Sequence, residues 1–141
     1  MGFLFFRQRR FRTYQTVLLI LAILIVPVGL ASKVYQGPLK GWVYDYSGDI
    51  LYETFWILLV GFIWPQVSPA KVASAVFAIT SAIEVLQLWK PPFLQAIRAT
   101  LAGQLLLGTT FVWWDFFHYF AGCALTWIGL RYLKSKLVRE Q

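Results

Sequence analysis

Residues 14–31 read Tyr-Gln-Thr-Val-Leu-Leu-Ile-Leu-Ala-Ile-Leu-Ile-Val-Pro-Val-Gly-Leu-Ala, inside an uncharged stretch from Thr13 to Ser32. A single α-helix needs about 20 mostly apolar residues to cross a bilayer core, so this stretch predicts a transmembrane helix. Arg7, Arg9, Arg10 and Arg12 precede it, while Pro27 and Gly29 predict a kink or an early end at its far side. A basic start, an apolar core and Gly29-Leu30-Ala31 before Ser32 also have the layout of a cleavable signal peptide. The length of the apolar stretch favours a retained span. Met1-Gly2 is no myristoylation start, because Phe6 stands where Ser or Thr is needed.

Composition extends that reading to the whole chain. Of 141 residues, 59% are hydrophobic, 18% aromatic and only 13% charged. A soluble domain carries about 25% charged residues, so a soluble enzyme, a disordered tail and a disulfide scaffold are excluded. The length suits a single domain over residues 1–141. The net charge of +7 comes from basic residues set beside apolar stretches, which orients membrane proteins. No nucleic-acid partner is expected. Cys123 is the single cysteine, so no intramolecular disulfide exists, and it reads as a packing residue.

Three more spans follow, at about 50–64 closed by Pro65, 72–89 closed by Lys90-Pro91-Pro92, and 113–133. The segment 93–107 is too short to cross, with Phe93, Ile97 and Leu101 on one side and Gln95 and Arg98 off that stripe. It reads as an interfacial or re-entrant helix ended by Gly108-Thr109-Thr110. The expected fold class is thus all-α: an integral membrane bundle of four transmembrane helices, with a short amphipathic or re-entrant helix between the third and fourth. The short connection 66–70 makes spans two and three a tight hairpin, and 33–49 and 90–112 become long outer loops. Arg7, Arg9, Arg10, Arg12, Lys71, Arg131, Lys134, Lys136 and Arg139 fall on one side. Only Lys33, Lys40, Lys90 and Arg98 fall on the other, which predicts a multi-pass inner-membrane protein with both termini cytoplasmic. Trp42, Tyr44, Tyr46, Trp89, Trp113 and Trp114 form an aromatic belt at the outer boundary.

Ionisable residues inside spans are costly and are functional candidates. Glu84 lies five residues before Trp89, roughly 7–8 Å below the outer end of its helix at about 1.5 Å per residue. Thr80 and Gln87 share its face, and Ser74, Ala78 and Ala82 form a small-residue stripe across the helix. That pattern predicts a central third span with little lipid contact. In the fourth span Asp115, Tyr119, Gly122 and Thr126 recur on one face, with His118 and Gly129 at its edge. Asp49 and Glu53 open the second span one turn apart. Asp49, Glu53, Glu84, Asp115, His118 and Arg98 should then gather in the outer third of the bundle.

Plainer roles stand beside these. Asp49 and Asp115 suit the first turn of a helix, where a carboxylate complements the macrodipole. Glu53 can reach interfacial water, and His118 can serve as a belt residue. Glu84 can be a structural lock, held by Arg98 through two parallel N–H bonds. Glu84, Asp115 and His118 could supply three metal ligands, but no HExxH or paired-cysteine spacing supports that. Cys123 lies more than one turn deeper than His118 and no GxSxG occurs, so protein nucleophilic catalysis is not expected. No catalytic residue, metal or cofactor is assigned.

The order Glu84-x-x-Gln87, Arg98, then Asp115-x-x-x-Tyr119-x-x-Gly122 resembles the VanZ-like membrane proteins. Ala96-Ile97-Arg98-Ala99-Thr100 and Phe111-Val112-Trp113-Trp114-Asp115 look still more like a related bacterial group, the domain of unknown function 2809 family. The resemblance spans about Ser47 to Gly129 and implies a small multi-span bundle without an established mechanism. The VanZ namesake is associated with tolerance to teicoplanin. This chain departs from that pattern in having Tyr119 in place of the usual asparagine and in lacking a second aspartate before the last helix.

The expected function is non-enzymatic: an outward polar pocket lined by Glu84, Gln87, Arg98, Asp115 and Tyr119, with Asp49, Glu53 and His118 as further ligand-binding candidates. Its ligand would be a polar or cationic envelope molecule, such as a lipid head group or cell-wall intermediate. One alternative is a small membrane enzyme using Glu84 or Asp115 as acid, base or metal ligand, assisted by His118. Another is a subunit or assembly factor whose small-residue stripe docks on a membrane partner protein. Membrane lipid is a partner in every case.

Overall fold

Prolines bound the helices on both sides of one short turn. Trp64 ends the second helix before Pro65, and Pro69 occupies the first turn of the next, whose N-cap Ser68 accepts from the Lys71 backbone N–H at 3.4 Å. A computed structural model of the chain describes residues 2–139, with side chains from Arg10 to Val138. Its helices are α1 (Gly2–Ser32), α2 (Lys40–Ile63), α3 (Pro69–Leu86), α4 (Pro92–Arg98), α5 (Leu101–Leu107) and α6 (Asp115–Lys134), followed by a π-helical turn, Ser135–Arg139. Among the described residues there is no strand. The side chains of Arg7, Arg9 and Arg139, counted toward the inner side, lie outside the described residues, as does Met1.

Among the described residues three helical stretches are long and apolar enough to cross a membrane: Arg10–Ser32, Lys40–Ile63 and Pro69–Leu86. The helix α6 is not among them, because Asp115, His118, Tyr119 and Arg131 dilute its apolar content. On α1 the buried side chains Tyr14, Leu18 and Ala22 recur every four residues, while Ile20, Ile23, Leu24 and Val28 stand exposed. Pro27 lies inside α1, which continues to Ser32, so of the kink or early end expected there the early end does not occur.

α1 packs on α2, α2 on α6, and α6 on α3, with α2 also touching α3. The core between them is Tyr14, Leu18, Ile57, Leu58, Val72, Val76, Cys123 and Leu130. Gly122 lets α6 lie directly on α2: a Cβ there would sit 2.9 Å from the Ile50 carbonyl oxygen and 3.0 Å from Glu53 Cβ. At the opposite end Lys134 Nζ donates to the carbonyls of Pro65 (2.6 Å) and Val67 (2.7 Å), fastening α6 to the α2–α3 turn.

Several boundaries differ from the sequence reading. α2 begins at Lys40 rather than near Ile50, so the connection from α1 is short. Apolar content marks where lipid contact starts, and a helix with Asp45 and Asp49 can continue beyond it. The stretch 93–107 is two helices rather than one, broken where the Thr100 hydroxyl accepts from the Gly103 N–H at 3.0 Å. Phe93, Ile97 and Leu101 face outward, while Leu94 and Arg98 turn inward. The small-residue stripe is also reversed from expectation. Ser74, Ala78 and Ala82 are exposed, so α3 is not enclosed on all sides. The polar face, not the stripe, is what α2 and α6 cover.

Candidate functional site

The buried face of α3 carries Thr80 and Glu84, with Gln87 at its C-cap. Glu84 is 1% exposed and both of its oxygens accept hydrogen bonds. Oε1 takes the Val112 backbone N–H at 2.7 Å. Oε2 takes Gln87 Nε2 at 2.8 Å and the Tyr119 hydroxyl at 3.1 Å. One carboxyl thus holds α3, the connection before α6, and α6 itself. A buried charge needs this number of partners to offset the loss of water.

The expected Glu84–Arg98 ion pair does not form. Arg98 is 3% exposed, and its Nη1 and Nη2 donate to the carbonyls of Trp89 (3.0 Å) and Leu86 (2.9 Å). The last carbonyls of a helix have no intrahelical donor. At the end of α3 Arg98 takes up the Trp89 carbonyl and adds to the Trp89 N–H already on the Leu86 carbonyl, and a cation there also complements the helix dipole. Its role is to fasten α4 beneath α3, and it does not line the cleft above.

That cleft has a volume of about 360 Å³. Its inner wall is Asp49 and Tyr52 from α2, Thr80, Glu84 and Gln87 from α3, and Asp115 and Tyr119 from α6. The other wall is the chain from Gln104 to Thr110, and Lys33 stands at the mouth. Gly108 makes that wall possible. Its φ is +63°, and a Cβ there would meet Gln87 Nε2 at 2.4 Å. Tyr52 reaches across to the Leu106 carbonyl at 3.4 Å.

Of the eight candidate residues named from sequence, the structure brings Asp49, Glu84, Gln87, Asp115 and Tyr119 around one cleft and leaves out Glu53, Arg98 and His118. Glu53 is 0% exposed and lies between α2 and α6, where Oε2 accepts from Cys123 Sγ at 3.0 Å and Oε1 has no partner. It does not reach water. His118 stacks on Tyr46, with ring centroids 4.3 Å apart and planes 8° from parallel, and its Nδ1 lies 2.9 Å from the Trp114 carbonyl. Among the described residues no three His, Cys, Asp or Glu side chains converge as a metal site.

Sequence reasoning missed Lys33, Tyr52 and the Gln104–Thr110 wall. Lys33 Nζ donates to the Tyr44 carbonyl and lies 4.9 Å from the centre of the Tyr44 ring. The wall did leave a signal: Thr100 three residues before Gly103 is an N-cap pattern that announces a new helix.

No solved structure matches the chain. A family model described as "Protein of unknown function (DUF2809)" matches residues 38–123, from just before α2 to the middle of α6. That region is more than half of the chain and contains every cleft residue except Lys33, and the chain therefore belongs to the DUF2809 family.

Proposed function

We propose that this protein is a multi-pass inner-membrane protein of a single domain, with both termini cytoplasmic, whose outward cleft binds a polar envelope ligand without catalysing a reaction. In this reading α6 is the fourth span, completed by packing on α2 and α3 rather than by its own apolarity, and α4–α5 form a re-entrant pair. The VanZ resemblance is consistent with this architecture. The observation that carries the proposal is the cleft itself: about 360 Å³, bounded on one side by polar side chains from three helices and open at the mouth. Pockets for small ligands begin at about 300 Å³ and use a few converging polar groups. Against the enzymatic alternative, His118 is stacked on Tyr46 and does not line the cleft.

Native mass spectrometry of the full chain in mild detergent tests the proposal. A stoichiometric lipid or metabolite is expected, and empty preparations would overturn it. A second reading, docking on a membrane partner, is favoured by the exposed stripe Ser74, Ala78 and Ala82. It requires a co-purifying protein. Orientation is tested with single cysteines in a Cys123→Ala background. Lys40→Cys and Lys90→Cys should react with an impermeant thiol reagent in intact cells, and Ser68→Cys should not. Labelling at Ser68→Cys alone would invert the topology.

A further inference from the structure

Each donor group on the inner wall of the cleft already has an acceptor, with one N–H of Gln87 Nε2 to spare. Thr80 donates to carbonyls within α3, Gln87 Nε2 and the Tyr119 hydroxyl donate to Glu84, and the Tyr52 hydroxyl donates to the Leu106 carbonyl. At the mouth, Lys33 Nζ donates to the Tyr44 carbonyl, and its charge reaches Asp49. The acceptors are in the opposite state. Gln87 is 4% exposed and its Oε1 has no donor, and Asp49 Oδ2 is also buried without one. These two atoms come from different helices and belong to residues lining the same cleft. Asp49, Glu84 and Asp115 add carboxyl groups to this wall, and among the described residues Lys33 is the one basic residue in the lining.

From this imbalance we infer that the cleft takes a primary ammonium group, seated between Asp49, Asp115 and Gln87. The inference rests on the ligand-binding reading above and names the chemistry of its ligand. An ammonium supplies three N–H donors and a positive charge, and the three carboxyl residues of the lining share one such group among its described residues, Lys33. A quaternary ammonium has the charge but no N–H, and would leave Gln87 Oε1 and Asp49 Oδ2 unpaired. Sites built to hydrogen-bond a ligand reject analogues that lack the donor. An anionic ligand would meet three carboxyl residues. The ammonium can belong to a lipid head group or to a free amine.

The test uses the purified full chain in dodecyl maltoside, read by native mass spectrometry and thermal unfolding. The probes are phosphatidylethanolamine, phosphatidylcholine and phosphatidylglycerol with identical acyl chains, free ethanolamine, and magnesium chloride. Phosphatidylethanolamine or ethanolamine should bind one-to-one, at least about tenfold more tightly than phosphatidylcholine, the scale of one lost charged hydrogen bond. Binding of the lipid alone identifies a head group as the source, and binding of ethanolamine identifies a free amine; both support the ammonium. Asp49→Asn should weaken binding by about tenfold. If that variant does not fold, Asp115→Asn should do the same.

Equal or preferential binding of phosphatidylcholine or phosphatidylglycerol overturns the ammonium. So does stabilisation by magnesium chloride equal to that by the amine. If Asp49→Asn and Thr110→Trp leave every bound lipid unaffected, the bound molecule lies elsewhere and the cleft reading itself fails. If Thr110→Trp blocks binding but phosphatidylcholine competes equally, only the ammonium fails.

Discussion

Glu84 and Glu53 are both buried carboxyls on facing helices, yet their surroundings differ. Glu84 accepts three hydrogen bonds from three separate parts of the chain. Glu53 accepts one well-formed bond, from the Cys123 thiol, and the other donor beside it, the Thr80 hydroxyl, is turned to carbonyls of α3. The cause is how closely the backbones approach. Beside Glu84 the connection from Gly108 to Trp114 folds over the helix end and delivers a backbone N–H. Beside Glu53, Gly122 brings α6 so near to α2 that little besides a thiol fits, and a thiol is a weak donor. A carboxyl at the edge of a bundle can recruit loop backbone; one between two helices has only their side chains. Glu84 therefore acts as a fastener, and Glu53 contributes little to holding the helices together.

The strongest way to break this contrast is Glu84→Ala. It strands the Val112 N–H and the Tyr119 hydroxyl, and should cost about 3–5 kcal/mol in a reversible unfolding titration in mixed micelles. A loss below about 1 kcal/mol would mean that Glu84 is a ligand group rather than a fastener.

Gly122→Ala comes next. The new methyl would sit 2.9 Å from the Ile50 carbonyl, so α2 and α6 must separate at a cost of about 1–3 kcal/mol. The same variant should make Cys123 react faster with N-ethylmaleimide. Unchanged stability and thiol reactivity would remove the close-approach explanation for the sparse bonding of Glu53.

Tyr119→Phe deletes one of the three donors to Glu84 and should cost about 1 kcal/mol by the same titration. A cost equal to that of Glu84→Ala would show that the other two donors contribute nothing. The smallest effect is expected at Glu53. Glu53→Met exchanges a poorly satisfied carboxyl for an apolar side chain of similar length, and should be neutral or stabilising by thermal unfolding. A large loss would place an unseen partner on Glu53.

Much of the helix map was legible because its signals are local. Pro65 and Pro69 mark the turn between α2 and α3, and the i, i+4 spacing of Thr80 and Glu84 puts both on one buried face. Tyr119, Gly122 and Thr126 are buried together on α6 for the same reason. The misplaced start of α2 and the missed break at Thr100 have a common source. Hydrophobicity reports what contacts lipid, whereas helix ends are decided by caps and backbone conformation, such as the left-handed Leu39 before Lys40 (φ 59°).

The amino-acid sequence alone determined that the chain is helical, apolar enough for a membrane, and furnished with polar groups toward one end, because these follow from composition and a 3.6-residue period. Only the tertiary structure decided which polar groups meet. Arg98 and Glu84 are matched by charge, but the guanidinium donates to the carbonyls of Leu86 and Trp89, and Val112, with no side-chain polarity to announce it, donates its N–H to the Glu84 carboxyl instead. Backbone donors and acceptors are the same at every residue, so no pattern of side chains reveals which of them folding will leave in need of a partner.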